Sequence, residues 1–152
     1  MTGGPPDELS QAEYDELEDF RYQIRRFLHF SESEALREGI EPRQHQALLA
    51  IKATRPEGPC TIGALAGRLF LQHQSTVGLV DRLERRELVA RTPAPDDGRQ
   101  VIVTLTPQGE EILRCLSLTH RAELGEKAPQ LASALQAIIR RNKATKTTTR
   151  TK

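Results

Sequence analysis

Apolar residues recur every three or four positions along most of this chain, and the period switches to two in one place. Leu17, Phe20, Ile24, Phe27 and Leu28 form one stripe, the spacing of a helix with one face turned inward. Ser10 suits its N-cap, with Glu13 three residues on in a capping-box pattern, and Gly39 after Glu38 suits its end. Pro42 fits the first position of a second helix, where a missing N–H costs nothing; Ala47, Leu48, Ile51 and His45 face inward. Arg55-Pro56-Glu57-Gly58-Pro59 breaks that helix. Cys60-Thr61-Ile62 can form a single short strand. Thr61 also suits the cap of a third helix, with Ile62, Leu65, Ala66 and Leu69 at helical spacing.

A tight connection, Phe70-Leu71-Gln72-His73, leads to a fourth helix marked by Thr76, Leu79, Val80 and Leu83. The period then falls to two. Leu88-Val89-Ala90-Arg91 and Val101-Ile102-Val103-Thr104-Leu105 read as strands, and the Pro and Asp-Asp-Gly segment between them is turn chemistry. Thr106 and Pro107 open a fifth helix with Glu110 near its positive end; Ile112, Leu113, Leu116 and Leu118 are its apolar residues. Pro129 restarts the chain into a sixth, with Leu131, Leu135, Ile138 and Ile139. There is no internal repeat.

At 152 residues the chain suits one domain with helical extensions. Net charge is +1, but its distribution is uneven: residues 1–41 carry eleven acidic and four basic side chains, and residues 42–152 carry ten acidic and eighteen basic. No run is apolar enough to span a membrane. The start, Met1 to Asp7, has neither the basic nor the apolar part of a signal peptide. Cys60 and Cys115 are far apart and fit no metal spacing. A cytoplasmic protein with two inert, buried thiols is expected.

The third and fourth helices, joined by a short turn, read as a helix-turn-helix. With Thr76, Leu79, Val80 and Leu83 inside, the outer face of the fourth helix carries Gln74, Gly78, Asp81 and Arg85, flanked by Ser75, Val77 and Arg82. Such a face suits base reading. Gln pairs bidentately with adenine, Ser tolerates several bases, and Val77 can meet a thymine methyl. Gly78 allows close approach, and Arg82 and Arg85 can neutralise phosphates. Any amphipathic helix has a polar face, and an Asp-Asp-Gly-Arg tip also suits a plain soluble turn; the hairpin adds to the case for DNA. Its loop, Pro93 to Gln100, is longer than strand reversal needs. Arg99 at its tip suits the narrow minor groove, with Asp97 fixing its rotamer. We expect DNA contacts from Thr61, Gln72, His73, Gln74, Ser75, Val77, Gly78, Arg82, Arg85, Asp97 and Arg99.

At these residues the chain resembles the MarR family of bacterial transcription regulators, over about residues 15 to 140. Asp97-Gly98-Arg99 followed by Val101 to Leu105 and Thr106-Pro107-Gln108-Gly109 is similar to that family's wing and the start of its next helix. Leu65-Ala66 with Leu69, Ser75-Thr76-Val77 and Leu79-Val80-Asp81-Arg82-Leu83-Glu84 are similar to its helix-turn-helix. The resemblance implies a mainly α fold with a small β wing, a winged helix-turn-helix flanked by N- and C-terminal dimerisation helices. It implies a homodimer acting as a repressor or an activator on a pseudo-palindromic operator, often released by a small aromatic or lipophilic ligand or by thiol oxidation; of the two signs, we expect a repressor. The layout expected is a flexible N-terminus (1–8), a dimerisation helix (9–41), the winged helix (42–106), C-terminal dimerisation helices (107–141) and a basic disordered tail (142–152). The chain departs from the family at Glu87, where glycine is usual, at the weak cap Gln72, and in a short sixth helix.

Other chemistry is thin. His29, His45, His73 and His120 lie on different elements, so no metal site is expected; His73 can touch phosphate. Tyr14 and Tyr22 with Arg21, Arg25, Arg26 and Phe30 could line a cleft for an aromatic acid, although helix packing explains the phenylalanines as well. There is no nucleophile–base pair and no phosphate-cradling loop, so neither an enzyme nor a cofactor is expected. Two alternatives stay open: a winged helix used for protein contacts, and a thiol-oxidation sensor.

Overall fold

The switch from helical spacing to alternation and back places a hairpin between two groups of helices. The computed structural model describes residues 8–53 and 58–149, with side chains as far as residue 144. Its elements are α1 (Gln11–Arg37), α2 (Pro42–Lys52), α3 (Ile62–Leu69), α4 (His73–Arg85), β1 (Val89–Pro93), β2 (Val101–Leu105) and α5 (Pro107–Thr149). They form two compact units: Ser31–His120, and the first part of α1 with α5 from Arg121 onward. No helix among the described residues is long and apolar enough to cross a membrane.

Within Ser31–His120 every element contributes side chains to the core, α2 and α4 most. Ile40, Leu48, Leu65, Leu79, Leu83, Leu88, Val103 and Leu116 are each almost fully buried. The helix starts follow local chemistry. Thr61 caps α3 by accepting the Ala64 N–H at 3.1 Å, and Gln44 reaches back to the Glu41 N–H at 3.0 Å. Gln72 leads into α4 without a side-chain cap, the weak start the sequence suggests. β1 and β2 pair antiparallel from Val89↔Leu105 to Pro93↔Val101. Thr61 adds a single bridge to Ile102, so the Cys60–Ile62 strand is one residue pair long.

One joint fixes where the hairpin leaves the helices. Glu87 sits at φ 56, and the Leu88 N–H reaches the Leu83 carbonyl at 3.0 Å, the closing bond of a Schellman cap. Glutamate in place of glycine there costs about 1 kcal/mol. The Thr106 hydroxyl donates to the Glu87 carbonyl at 2.6 Å and accepts the Gly109 N–H at 3.1 Å. Gly109 lies directly on Leu88: a Cβ built on it would overlap the Leu88 carbonyl oxygen and stand 3.0 Å from its carbon.

In the other unit α1 and α5 run side by side. Arg141 gives Glu16 two hydrogen bonds, at 2.8 and 2.7 Å, and holds its carboxyl below the usual range. Leu17, Leu28, Leu135 and Ile139 stay exposed on these helices.

Two expectations about the C-terminal part are corrected. Among the described residues there is no separate sixth helix, because α5 runs through Pro129. A proline inside a helix loses one N–H···O bond and crowds the carbonyl four residues back. Here that residue is Gly125, and the flanking Lys127, Ala128, Leu131 and Ala132 favour helix. The tail from residue 142 is helical as far as Thr149 rather than disordered: extending an existing helix needs no new nucleus. Met1–Asp7, the Arg55–Glu57 part of the break and Arg150–Lys152 lie outside the described residues, so the expectations for them stand apart from the structure.

His45, expected to face inward, is 5% exposed. Burial, then the neighbouring His120, push its imidazole down to about 4. The folded state therefore keeps His45 neutral while the unfolded chain takes up a proton near its ordinary value of about 6.5. This contribution to stability is complete above pH ~6.5 and is lost as pH falls towards ~4, by up to roughly 3 kcal/mol. Urea unfolding across that range should show the loss, and a His45→Gln variant should show a much flatter profile.

Candidate nucleic-acid interface

α4 divides cleanly. Thr76, Leu79, Val80 and Leu83 are buried, while Gln72, His73, Gln74, Ser75, Arg82 and Arg85 are exposed. Val77 and Gly78 are half-buried between the two faces, and Val77 also packs against the core. A Cβ at Gly78 would meet only the Arg82 guanidinium, at 3.7 Å, so the protein itself leaves room for alanine there.

The structure brings the wing to this face. A cleft of about 280 Å3 is lined by Thr61, His73, Val77, Arg91, Arg99 and Val101, among others. Four of the expected contact residues, Thr61, His73, Val77 and Arg99, thus share one recess. Gln74, Ser75, Arg82 and Arg85 lie along the exposed helix beyond it.

Asp97 acts differently from expectation. Its carboxylate accepts the backbone N–H of Arg99 at 3.0 Å, and its carbonyl accepts the Gln100 N–H at 3.0 Å. It therefore shapes the turn that presents Arg99 and does not grip the guanidinium; an Asx turn satisfies the tip backbone more cheaply than a side-chain pair would.

Arg91 is the residue that sequence reasoning missed. Its guanidinium donates to Asp81 and approaches Glu84 at 3.3 Å. β1 is thereby bonded to the outer edge of α4, and both acidic side chains of α4 are answered by a cation from the wing. The signal was present: alternation puts Arg91 on the same strand face as buried Val89, and Asp81 and Glu84 are spaced i, i+3 on α4.

Tyr14 and Tyr22 are exposed on α1. A small recess along that helix is lined by Arg26, Phe27, Leu124 and Leu131, among others. Cys60 is buried, but Cys115 is half-exposed, because its place on α5 turns it outward beside Glu111 at 3.7 Å and Arg114 at 3.9 Å. No group of three metal-binding side chains exists among the described residues.

Residues 38–100, from the end of α1 to the wing tip, match the model of the MarR family. Over that stretch the chain is similar to the MarR family. A relative from Bacillus subtilis, "Uncharacterized HTH-type transcriptional regulator YsmB", is 42% identical over 57 residues, 38% of this chain and 39% of that protein. "Transcriptional activatory protein BadR" of Rhodopseudomonas palustris is 32% identical over 107 residues, 69% of this chain and 61% of BadR. The chain thus spans less than two thirds of these curated relatives. The fold is also that of Staphylococcus aureus MepR in a MepR–DNA complex, with TM-score 0.65 and 18% identity over 93% of this chain and 99% of MepR. In MarR-family terms, α3 and α4 are the helix-turn-helix and β1 and β2 the wing. Glu87 stands where glycine is usual, in the backbone conformation that glycine favours.

Proposed function

We propose that this protein is a transcription regulator of the MarR family that binds duplex DNA sequence-specifically as a homodimer. α4 enters the major groove, with Gln74 and Ser75 on base edges and Arg82 and Arg85 on phosphates. Arg99 enters the neighbouring minor groove, where the potential is most negative. One observation carries the reading: amide, hydroxyl and guanidinium groups line one open surface of α4 and the wing, while Asp81 and Glu84, which would repel DNA, are paired with Arg91. That pairing also counts against a protein-binding role, which would need those acids free.

The apolar side chains left in water at Leu17, Leu28, Leu135 and Ile139 fit burial against a second copy, which would set two α4 helices roughly 34 Å apart on a palindromic site. Bound over a promoter such a dimer represses; the named activity of BadR shows that a relative can do the opposite. Release by a small aromatic or lipophilic compound belongs to the same reading, as does action in the cytoplasm.

Selection of a duplex from a random pool, followed by affinity measurement across salt concentrations, tests the reading. Log affinity should fall with log salt by about 0.9 for each phosphate neutralised. Gln74→Ala should relax one base position, losing about tenfold in discrimination there. Gly78→Ala should leave the fold as stable or up to ~1 kcal/mol more stable yet weaken binding, because the added methyl faces the groove. A salt-independent affinity, or no selected duplex, would refute the assignment.

A further inference from the structure

Phe70 strains the backbone while its ring stays in water. It ends α3 at φ 52, in the left-handed region that glycine enters freely and phenylalanine does not. The Leu71 N–H reaches the Ala66 carbonyl at 3.0 Å, the closing bond of a Schellman cap, so the turn would form equally well around glycine. The ring is 95% exposed. A strained residue whose side chain adds no packing points to a use outside the fold.

Phe70 lines a cavity of about 670 Å3 bounded by the end of α1, the start of α2 and the turn between α3 and α4, all within Ser31–His120. Pro42, Leu69 and Leu71 are half-buried along its wall, and Glu32, Arg43 and Gln46 are exposed there. Glu32 and Arg43 carry opposite charges in this one cavity, yet they pair neither with each other nor with any other of the described residues. Their neighbours are engaged: Glu34 with Arg37, and Glu41 with Gln44 in the capping box that starts α2.

A ligand that answers both charges brings an ammonium to Glu32 and a carboxylate to Arg43. Its body must be apolar where it meets Leu69, Phe70 and Leu71, and an amide group on it would suit the Gln46 side chain, which both donates and accepts. The volume equals a cube about 9 Å on a side, the reach of two or three extended residues. An aromatic acid would leave Glu32 unanswered, and a lipophilic cation would leave Arg43 so. We propose that the cavity takes a short apolar peptide of two or three residues with both termini free, its ammonium on Glu32, its carboxylate on Arg43 and an apolar side chain against Phe70. None of these residues is among the expected DNA contacts, so the site stands or falls apart from the DNA reading.

Calorimetric titration of the full chain tests this, with leucyl-phenylalanine and leucyl-leucyl-phenylalanine as probes beside their N-acetyl and C-amide forms, free phenylalanine and 3-phenylpropanoate. At least one free peptide should bind saturably, and blocking either terminus should weaken it at least about tenfold. Glu32→Gln should weaken the free peptide by a similar factor and leave the N-acetyl form unaffected; Arg43→Gln should do the same for the C-amide form. Phe70→Gly should weaken binding about tenfold while the unfolding midpoint stays or rises, because glycine relieves the turn. No saturable binding of either peptide up to about 10 mM overturns the site. Equal binding of the blocked forms or of 3-phenylpropanoate overturns the two-charge reading, and equal binding of phenylalanine overturns the length. A lower unfolding midpoint in Phe70→Gly would return the ring to the fold and overturn its role in the site.

Discussion

Gly109→Ala is expected to lower stability by at least about 3 kcal/mol, roughly 6–12 °C in Tm for a chain of this size. An alanine inside a helix ordinarily helps by about 1 kcal/mol. Here the new methyl would occupy the space of the Leu88 carbonyl, and backbone does not yield as a flexible side chain does. That carbonyl also accepts the Thr106 N–H at 3.1 Å, so pushing it aside breaks the joint between α4, the wing and α5 together. Urea unfolding followed by circular dichroism would measure the loss. A variant as stable as the wild type would mean that the start of α5 is not seated against Leu88 as described.

Arg99→Ala is expected to reduce affinity for a selected duplex by about ten- to a hundredfold, on the order of 1–3 kcal/mol, with the unfolding curve unchanged. The arginine is exposed at the wing tip, and only its backbone N–H takes part in the tip's hydrogen bonds, so the fold loses nothing with the side chain. Arg99→Lys should recover only part of the loss, since an ammonium keeps the charge and loses the planar fork. Unaltered affinity in Arg99→Ala would remove the wing from the interface.

Local chemistry made much of the fold legible. Thr61, Pro42, Thr106 and the alternation from Val101 to Leu105 act within a few residues of themselves, and each sits where its chemistry suggests. Pro129 misled because proline's local cost was weighed without the long run of helix-favouring neighbours on both sides. Phe70, at φ 52 and 95% exposed, gave no warning, since nothing about phenylalanine favours a left-handed turn. The proposed interface could be written from the sequence as a list of side chains and not as an arrangement. Arg91 was visible as a strand residue, but its bond to Asp81 spans a hairpin and a helix, and only the fold brings them together. Asp97 was placed on the right turn with the wrong partner, because sequence spacing does not distinguish a bond to a side chain from one to the backbone beside it.

Because Arg91 fastens the strand to the helix edge, α4 and the wing would shift together on the DNA in the proposed complex. A DNA-bound dimer built this way would be strict about the number of base pairs inside each half of its operator. Any leniency in operator length would fall to the stretch between the halves.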